Sequence, residues 1–268
     1  MSMWVDDLKS LQRDRLIGRD FLFFPEIDST NREARDRARK GAGEGTVILA
    51  DYQSHGRGRL GRTWESPSGA NIYLSVILRP PIPPPAAPQI TLLAGVSAAR
   101  ALSHVSGLEC RIKWPNDILV RGKKLAGILA EMEAEGSDTR FIILGIGVNV
   151  NWGKEDFPPG LRETATSLRA EKGKEIPRAA AAAGLLRELE AEYVSFLREG
   201  FSARLRDDWN RLSGVNGKQV TLQSPQGTFS GRALGLDSDG ALLVLDGEGS
   251  TRRFIAGEVS LRMENSNF

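Results

Sequence analysis

The segment GRGRLGRTW at residues 56–64 is followed by a strand and not by a helix, and this order limits the folds available to the chain. Its glycines match the spacing of both a P-loop and a dinucleotide-binding fingerprint. Both motifs need a helix directly after the glycines, because the phosphate binds at the N-terminus of that helix. Here Pro67, Ser68 and Gly69 exclude a long helix, and the apolar stretch NIYLSVIL then predicts a strand. The sequence therefore argues against both folds.

Two interpretations of this glycine loop remain. Glycine lets backbone N–H groups approach an anion closely, and Arg57, Arg59 and Arg62 add positive charge. Such a loop can close over a phosphate or a carboxylate and stabilise its charge. The alternative is a basic hairpin tip exposed to solvent, and the loop by itself does not decide between the two.

The chain before this loop predicts short helices and strands. A helix covers about residues 5–16, which leaves no room for the two or three packed helices of a DNA-binding helix-turn-helix module. DFLFFPEI is a strand that ends at Pro25. Thr30 and Glu33 have the spacing of a capping box, and the charged helix that they open runs to about Lys40. TVILADYQ is the next strand.

The chain after the loop predicts the core. Beyond a break at residues 79–88, apolar residues at helical spacing predict a helix over residues 89–106. RIKWPNDILV, KLAGILAEME and RFIILGIGVNVN are three strands in series. A long helix opens at Pro177 and closes at Gly200, and a shorter helix covers residues 203–212.

The character of the sequence changes near Val215. KQVTLQ, GTFSGRALGL, ALLVLD and RRFIAGEVSL are short strands separated by glycine turns, a pattern typical of a small β-barrel. The sequence therefore predicts an α+β protein with two domains, a larger one at residues 1–213 and a C-terminal barrel at residues 214–268.

The motif LGIGVNVN divides its side chains between two faces, because successive strand residues point to opposite sides. The core face carries the apolar residues Leu144, Ile146, Val148 and Val150. The other face carries Gly145, Gly147, Asn149 and Asn151. Two positions without side chains followed by two amides make a flat platform on which a heterocycle such as adenine can lie. The alternative is a face that a helix packs closely, which also favours glycine.

The stretch KWPNDILVRGKKLAGILAE predicts a hairpin. A two-residue turn at residues 121–122 pairs Leu119 with Lys124 and places Asp117 on the same face, about 7–8 Å from Lys124 by backbone spacing. A carboxylate and an ammonium on one face of apolar strands suggest chemistry. The alternative is a surface ion pair on an edge hairpin.

Composition excludes several classes of protein. Lys and Arg number 36 against 34 Asp and Glu, a net charge of +2 that argues against DNA binding. No apolar run reaches the roughly 18 residues that a membrane span needs, and the N-terminus lacks the features of a signal peptide. Cys110 is the single cysteine, which fits a reducing cytoplasm, and with only His55 and His104 a His-rich metal site is excluded.

Five motifs, taken in order, resemble those of the biotin protein ligases: EIDSTN, QSHGRGRLGRTWESP, KWPND, KKLAGIL and GIGVNVN. The resemblance covers about residues 25–151, and the C-terminal barrel is similar to the SH3-like domain of that family. It implies a mixed sheet with helices on one side, related to the catalytic core of class II tRNA synthetases.

The resemblance implies a cytoplasmic enzyme with a reaction in two steps. The carboxylate of biotin attacks the α-phosphate of ATP, which is accompanied by Mg²⁺, and gives biotinyl-5′-AMP and pyrophosphate. A lysine of the biotin carboxyl carrier protein, a subunit of acetyl-CoA carboxylase, then takes the biotinyl group and releases AMP. A homodimer joined through the main sheet is compatible with the resemblance.

The resemblance also implies a biotin site. Hydroxyls and amides there supply donors for the ureido oxygen of biotin and acceptors for its two N–H groups. The implied biotin-binding residues are Ser29, Thr30, Asn31, Gln53, Gly56, Arg57, Gly58, Arg59, Lys124 and Gly127. The capping box is a second, structural role for Thr30 that is compatible with the first.

The resemblance assigns further residues to ATP and to catalysis. The implied ATP and adenylate residues are Arg59, Arg62, Trp64, Asn116, Lys124 and Asn149. The implied catalytic residues are Lys124, Arg57, Asp117 and Lys113. Lys124 is implied to contact the biotin carboxyl and the α-phosphate, and Asp117 to orient the carrier lysine or to accept its proton. Trp64 fits adenine by stacking, and Mg²⁺ is expected near Asn116 and Asp117.

Two departures from the family pattern bear on function. Only 25 residues precede EIDSTN, so we expect the chain to lack the N-terminal winged helix with which some family members repress transcription. Leu60 stands where a third basic residue is common, which should weaken anion attraction slightly.

Two other functions are left as alternatives. One is a lipoate or fatty-acyl ligase of the same fold, against which the ureido-binding set at residues 29–31 and 53 argues. The other is a non-catalytic biotin-binding regulator, which would bind its ligand without releasing pyrophosphate.

Overall fold

A computed structural model describes residues 3–12, 15–224 and 227–261 of the chain, whose larger part is a seven-stranded sheet with helices packed against it. The helices are α1 (Met3–Leu11), α2 (Thr30–Arg39), α3 (Pro88–Ser106), α4 (Leu168–Lys172), α5 (Arg178–Glu199) and α6 (Ala203–Leu212). The strands are β1 (Phe21–Ile27), β2 (Val47–Gln53), β3 (Ile72–Leu78), β4 (Arg111–Lys113), β5 (Asp117–Val120), β6 (Lys123–Glu135) and β7 (Asp138–Val148).

The large sheet is mixed. Its strand order is β1-β2-β3-β7-β6-β5-β4, with β1 and β2 parallel and the other neighbouring pairs antiparallel. Alternate residues of β7 separate its two faces, since Leu144 belongs to the main core with α3 and α5, while Phe141 and Ile143 pack with α2. The main core face is covered by helices, whereas the opposite face carries the short helix α2.

The position of α2 departs from the expectation of helices on one side only. The helix buries Ala34 and Ala38 against β2, β3 and β7. Because α2 is only 10 residues long, it covers part of that face and leaves the rest accessible. The uncovered part of the face is where the functional site lies.

Two predictions at the N-terminal end are wrong in detail. Helix α1 ends at Leu11 and not at residue 16, and the Gln12 amide donates to the Ala183 carbonyl of α5 at 2.9 Å. Residues 13 and 14, which the predicted helix includes, lie outside the described ranges. Strand β1 continues through Pro25 to Ile27, because it is an edge strand in which a missing N–H is tolerated.

The predicted capping box is also wrong. The residue that caps α2 is Ser29, and its side chain makes no capping hydrogen bond. Thr30 is the first helical residue, and its hydroxyl donates to Gln53 Oε1 at 3.1 Å. Glu33 pairs with Arg37 one turn further along at 2.7 Å. The Thr30 side chain therefore faces the sheet and not the end of its own helix.

RIKWPNDILV forms two strands where one was predicted. Strands β4 and β5 are separated by a turn that contains a cis peptide bond between Trp114 and Pro115. Proline cannot donate to a ladder, so the turn interrupts the strand there. The turn places Asn116 and Asp117 beside β6, where Asp117 pairs with Gly127.

The C-terminal part is a separate antiparallel sheet of five strands. Its strands are β8 (Gln219–Ser224), β9 (Gly227–Leu236), β10 (Leu242–Leu245), β11 (Thr251–Phe254) and β12 (Glu258–Leu261), in the order β11-β10-β9-β8-β12. RRFIAGEVSL forms two of these strands, and Gly257 between them has a φ of 150°. The boundary between domains at residues 213 and 214 stays a prediction.

The helices of the described ranges include none with the length and apolar character required to cross a membrane.

Candidate active site

A cavity of about 600 Å³ opens on the face of the large sheet beside α2. The five motifs that the sequence singled out meet in its wall. The predicted site residues that line it are Ser29, Thr30, Asn31, Gln53, Arg57, Gly58, Arg59, Arg62, Trp64, Lys113, Asn116, Asp117, Lys124, Gly127 and Asn149. Residues from distant parts of the chain are thus brought together as the motif order predicted.

Gly56 is the predicted site residue that does not line the cavity. Its carbonyl accepts a hydrogen bond from the Trp64 N–H at 2.9 Å, which closes the base of the glycine loop. A β-carbon at Gly56 would overlap the Trp64 carbonyl oxygen and lie 2.5 Å from Ser66 Oγ. Gly56 therefore has a structural role in the loop, and its assignment to biotin stays without support from the geometry.

The glycine loop is a short hairpin over the cavity, not a P-loop. Arg57 and Thr63 form an antiparallel bridge, and the Gly58 N–H donates to the Arg62 carbonyl at 2.7 Å. Leu60 at the tip has a φ of 54°, unusual for a residue with a side chain, and its side chain is 75% exposed. Since Arg57 and Arg59 line the cavity, the structure favours the anion-covering interpretation over a solvated tip.

Four cations of the cavity wall contact oxygens of the chain itself. These contacts are Arg57 with Glu131 (3.1 Å), Arg59 with Asn116 (3.0 Å) and the Gly257 carbonyl (3.2 Å), Arg62 with Glu258 (2.7 Å), and Lys124 with Asp117 (2.7 Å). Burial lowers the pKa of the Arg59 guanidinium, a shift that the Glu258 and Asp117 carboxylates oppose. An anion entering the cavity exchanges with these oxygens or shares their cations.

The predicted hairpin register is confirmed next to its turn. Leu119 pairs with Lys124 and Val120 with Lys123, but the register shifts between Ile118 and Leu119, a bulge that the sequence did not indicate. The Lys124 ammonium still lies 2.7 Å from the Asp117 carboxylate. The two side chains therefore meet in direct contact across the predicted backbone separation. This ion pair lies in the cavity wall and not on an exposed edge.

A buried polar network lies beneath one end of the cavity. The Thr30 hydroxyl donates to Gln53 Oε1, and Gln53 Nε2 donates to Ser66 Oγ at 2.9 Å. Ser75 Oγ lies within hydrogen-bond distance of Thr30 Oγ1 (2.8 Å) and Asn31 Oδ1 (2.6 Å). Asn31 Nδ2 in turn donates to Glu131 Oε2 at 2.8 Å. Ser75 was not predicted, although a serine flanked by apolar residues in the middle of β3 was a usable signal.

The glycines of β7 accommodate side chains of the protein. A β-carbon at Gly145 would overlap Asn31 Oδ1, and one at Gly147 would lie 2.5 Å from the Trp64 ring. Gly127 on β6 has the same relation to Trp64, at 2.9 Å. The structure thus favours close packing over a bare platform, with Asn31 of α2 over Gly145 and Trp64 of the glycine loop over Gly147.

The segment after β7 supplies a wall that the sequence interpretation missed. Trp152 and Phe157 pack edge to face, with ring centroids 4.7 Å apart, and both line the cavity. The Lys124 backbone fixes this segment, because its N–H donates to the Thr164 carbonyl at 2.8 Å and its carbonyl accepts from the Thr166 N–H at 2.9 Å. Two aromatic residues in the otherwise polar stretch NWGKEDFPPG were the available signal.

The C-terminal sheet completes the cavity. Glu258 and Ser260 of β12 line it, and the Gly257 carbonyl and the Glu258 carboxylate hold Arg59 and Arg62 of the glycine loop. These contacts anchor the glycine loop to the start of β12 at the cavity wall.

Comparison with known proteins gives matches over both sheets. Residues 23–149 match the Biotin/lipoate A/B protein ligase family, and residues 216–262 match the Biotin protein ligase C terminal domain. The bifunctional ligase/repressor BirA of Bacillus spizizenii is 39% identical over 244 residues, which cover 91% of this chain and 75% of the relative. The biotin–[acetyl-CoA-carboxylase] ligase of Mycobacterium tuberculosis is 37% identical over 265 residues, with 94% of each chain covered.

A solved structure gives the same result. The biotin protein ligase from Aquifex aeolicus in complex with biotin and ATP superposes with a TM-score of 0.78 at 30% identity. The match covers 91% of this chain and 99% of that one. Because sequence relatives, domain matches and fold agree along nearly the whole chain, this protein belongs to the biotin protein ligase family.

Proposed function

We propose that this protein is an ATP-dependent ligase that activates biotin as biotinyl-5′-AMP and transfers the biotinyl group to a lysine of a biotin carboxyl carrier protein. The observation that carries the proposal is a single cavity with a buried network of hydroxyls and amides at one end and a set of cations beside it. A neutral polar ring and reacting anions need these two environments side by side.

The first step joins two anions. An oxygen of the biotin carboxylate attacks the α-phosphorus of ATP, a C–O–P bond forms, and the bond to the β-phosphate oxygen breaks to release pyrophosphate. Mutual repulsion raises the barrier, so positive groups aimed at the reacting oxygens accelerate the step. Lys124, Arg57 and Arg59 are the cations of the cavity wall that serve this purpose.

The second step needs a neutral amine. A free lysine has a pKa near 10.4, so the carrier lysine arrives protonated and must lose a proton before it attacks the acyl carbon. Asp117, a wall residue next to Lys124, is placed to orient the ammonium and to accept that proton. The amide bond then forms, the bond between the acyl carbon and the phosphate oxygen breaks, and AMP leaves.

Biotin fits the cavity better than a lipoyl or fatty-acyl group. The ureido ring offers two N–H donors and one carbonyl acceptor to the network around Thr30, Asn31 and Gln53, whereas a dithiolane or an alkyl chain offers none of these. Buried polar groups without partners cost free energy, so such a site disfavours apolar acyl groups. The match of residues 216–262 to a domain named for biotin protein ligases supports the same choice.

At the ATP end, Trp64 and Asn149 are assigned to adenine, and Arg62, Lys113 and Asn116 to the phosphates. The described residues contain no group of three or more His, Cys, Asp or Glu able to hold a metal ion. Mg²⁺ commonly binds one or two protein oxygens and completes its coordination with phosphate and water. The oxygens of Asn116 and Asp117 fit that limited role, in which Mg²⁺ neutralises phosphate charge.

Incubation with radiolabelled biotin, ATP, Mg²⁺ and a purified carrier domain tests the function. We expect pyrophosphate release, biotinyl-5′-AMP, and label on one carrier lysine, with none of these when ATP is omitted. Biotin binding without pyrophosphate release would identify a regulator, and activation of lipoate in place of biotin would identify the other ligase class. Sedimentation of the same preparation distinguishes a monomer from a homodimer.

Replacing Gly145 with alanine should weaken biotin binding. The new β-carbon would displace the Asn31 amide from its place between Ser75 and Glu131. Loss of about one hydrogen bond to a charged group predicts a rise of about tenfold in the dissociation constant for biotin, measurable by calorimetric titration. Gly43→Ala is the control, because nothing lies within 4 Å of a β-carbon there. Equal affinities in the two variants would contradict the role of Gly145.

A further inference from the structure

The Glu131 carboxylate on β6 connects two parts of the site that the motifs treat separately. Its Oε2 accepts from Asn31 Nδ2 at 2.8 Å and faces Arg57 Nη1 at 3.4 Å. Its Oε1 lies 3.1 Å from Arg57 Nη2 and 2.8 Å from Arg35 Nη2. Glu131 thus forms a bidentate ion pair with Arg57 of the glycine loop and accepts a hydrogen bond from Asn31 of the STN motif.

A carboxylate at this position is the nearer of two acceptors that set the direction of the Asn31 amide, the other being the Leu129 carbonyl at 3.4 Å. An ionised carboxylate only accepts hydrogen bonds, so Asn31 must turn its NH₂ group toward Glu131 and its oxygen toward Ser75. The Asn31 oxygen then stays available as an acceptor for a ligand N–H. A glutamine at residue 131 could donate or accept, and would leave only the longer contact with the Leu129 carbonyl to oppose the reversed orientation of the Asn31 amide.

Glu131 is ionised under ordinary conditions. Burial alone would raise the pKa of this carboxyl, but the hydrogen bond from Asn31 and the charges of Arg35 and Arg57 outweigh burial and hold its pKa below the usual value. Its acceptor-only character is therefore retained at neutral pH.

The same contacts connect both ends of the glycine loop. At one end Glu131 holds Arg57, and at the other the Ser66 hydroxyl donates to the Trp64 carbonyl at 2.9 Å. Between them lies a buried row of polar side chains, Gln53, Thr30, Ser75 and Asn31, in which the single hydroxyl proton of Ser75 can be donated to Thr30 Oγ1 or to Asn31 Oδ1. Side chains assigned to the biotin head are thus continuous with the two points where the loop is anchored.

We propose that Glu131 is a positioning residue that couples the biotin-head site to the glycine loop, by setting the orientation of the Asn31 amide and by holding Arg57 over the cavity. The inference rests on the proposed function and adds to it a residue outside the predicted set. Glu131 does not touch the reacting atoms, and it acts through Asn31 on one side and through Arg57 on the other.

The test compares Glu131→Gln with Glu133→Gln in the full chain. Glu133 is a matched control, since it lies on the same strand and binds Arg39 of α2 at 2.7 Å, but its partners Arg39 and Arg140 do not line the cavity as Asn31 and Arg57 do. We expect Glu131→Gln to raise the dissociation constant for biotin about tenfold, the usual effect of losing one charge-assisted hydrogen bond. Glu133→Gln should stay within about twofold of the unmodified protein.

A double-mutant cycle separates positioning from general stability. In an Asn31→Ala background, Glu131→Gln should lower biotin affinity by clearly less than in the unmodified background, because only the contact with Arg57 is left for it to act through. Glu131→Asp, which keeps an acceptor-only group, should bind biotin more tightly than Glu131→Gln at a similar Tm. Additive effects of the two changes, or equal losses in the residue 131 and residue 133 variants, would overturn the proposal.

Measuring biotin affinity separately from pyrophosphate release also distinguishes failure of this inference from failure of the proposed function. If the unmodified protein binds biotin but releases no pyrophosphate with ATP, the ligase function fails while the affinities still decide the role of Glu131. If the unmodified protein binds no biotin, both conclusions are overturned together.

Discussion

Replacing Lys124 with alanine is expected to slow biotinyl-5′-AMP formation by about 10²–10³-fold, the usual effect of removing one group that stabilises charge in a transition state. Lys124 supplies an ammonium in the cavity wall, 2.7 Å from Asp117 Oδ1 and 5.3 Å from the centroid of the Trp64 ring. That charge is needed most where the two anions meet. We therefore expect biotin affinity to fall by only about tenfold, so that the rate suffers more than binding.

Lys123→Ala is the matched control for this experiment. Lys123 is the neighbouring residue on the same strand, but its ammonium donates to the Arg162 carbonyl at 3.1 Å and does not line the cavity. Single-turnover measurement of adenylate should show a normal rate for Lys123→Ala. An unchanged rate in Lys124→Ala would remove Lys124 from the mechanism, and equal losses in both variants would point to damage to the hairpin.

Much of the fold follows from local patterns that a sequence carries. Helix α6 begins at Ala203 and ends at Leu212 as predicted, because its apolar spacing and its flanking residues are local signals. The Leu119–Lys124 pair was predicted for the same reason, since a two-residue turn sets the register next to it. The site residues were found through motif resemblance. All of them except Gly56 line one cavity, and their roles stay predictions.

The site residues that the sequence did not predict depend on contacts between residues far apart in the chain. Glu131 acquires its role only because β6 passes beneath Arg57 of the glycine loop, 74 positions earlier. Glu258 reaches the cavity only because β12 folds back against that loop. Neither carboxylate belongs to a local pattern that distinguishes it from the other acidic residues of the surface. Such partners can be assigned only when the tertiary structure is known.

The interpretations left open by the sequence were decided by the same kind of contact. Glycine at residue 145 is compatible with a ligand platform or with close packing, because both need a missing side chain. The choice depends on what lies above the strand, which is the Asn31 amide from a helix over 100 positions earlier. A repeat of glycine in a strand therefore predicts a close approach without identifying the group that approaches.

Replacing Arg59 with glycine is expected to release biotinyl-5′-AMP from the protein and to label lysines of bystander proteins. The Arg59 guanidinium connects the glycine loop to two other parts of the chain. It donates to the Asn116 side chain just before β5 and to the Gly257 carbonyl just before β12. Loss of each of these charge-assisted hydrogen bonds destabilises the closed loop by up to about 3 kcal/mol. The loop also gains the backbone freedom of another glycine. We expect the adenylate to dissociate about 10–100-fold faster.

A neighbouring residue of the same loop provides a control that separates the loss of the Arg59 contacts from a general change in the loop. Leu60→Ala is the control, because Leu60 is the neighbouring residue of the same loop and its side chain is 75% exposed. The measurement is label on added serum albumin against label on the carrier domain, with labelled biotin and ATP in excess. Since Lys124 and Arg57 still line the cavity, Arg59→Gly should release pyrophosphate, more slowly than the unmodified protein, while its label spreads to albumin. An active Arg59→Gly variant whose label stays confined to the carrier would show that the glycine loop does not retain the intermediate.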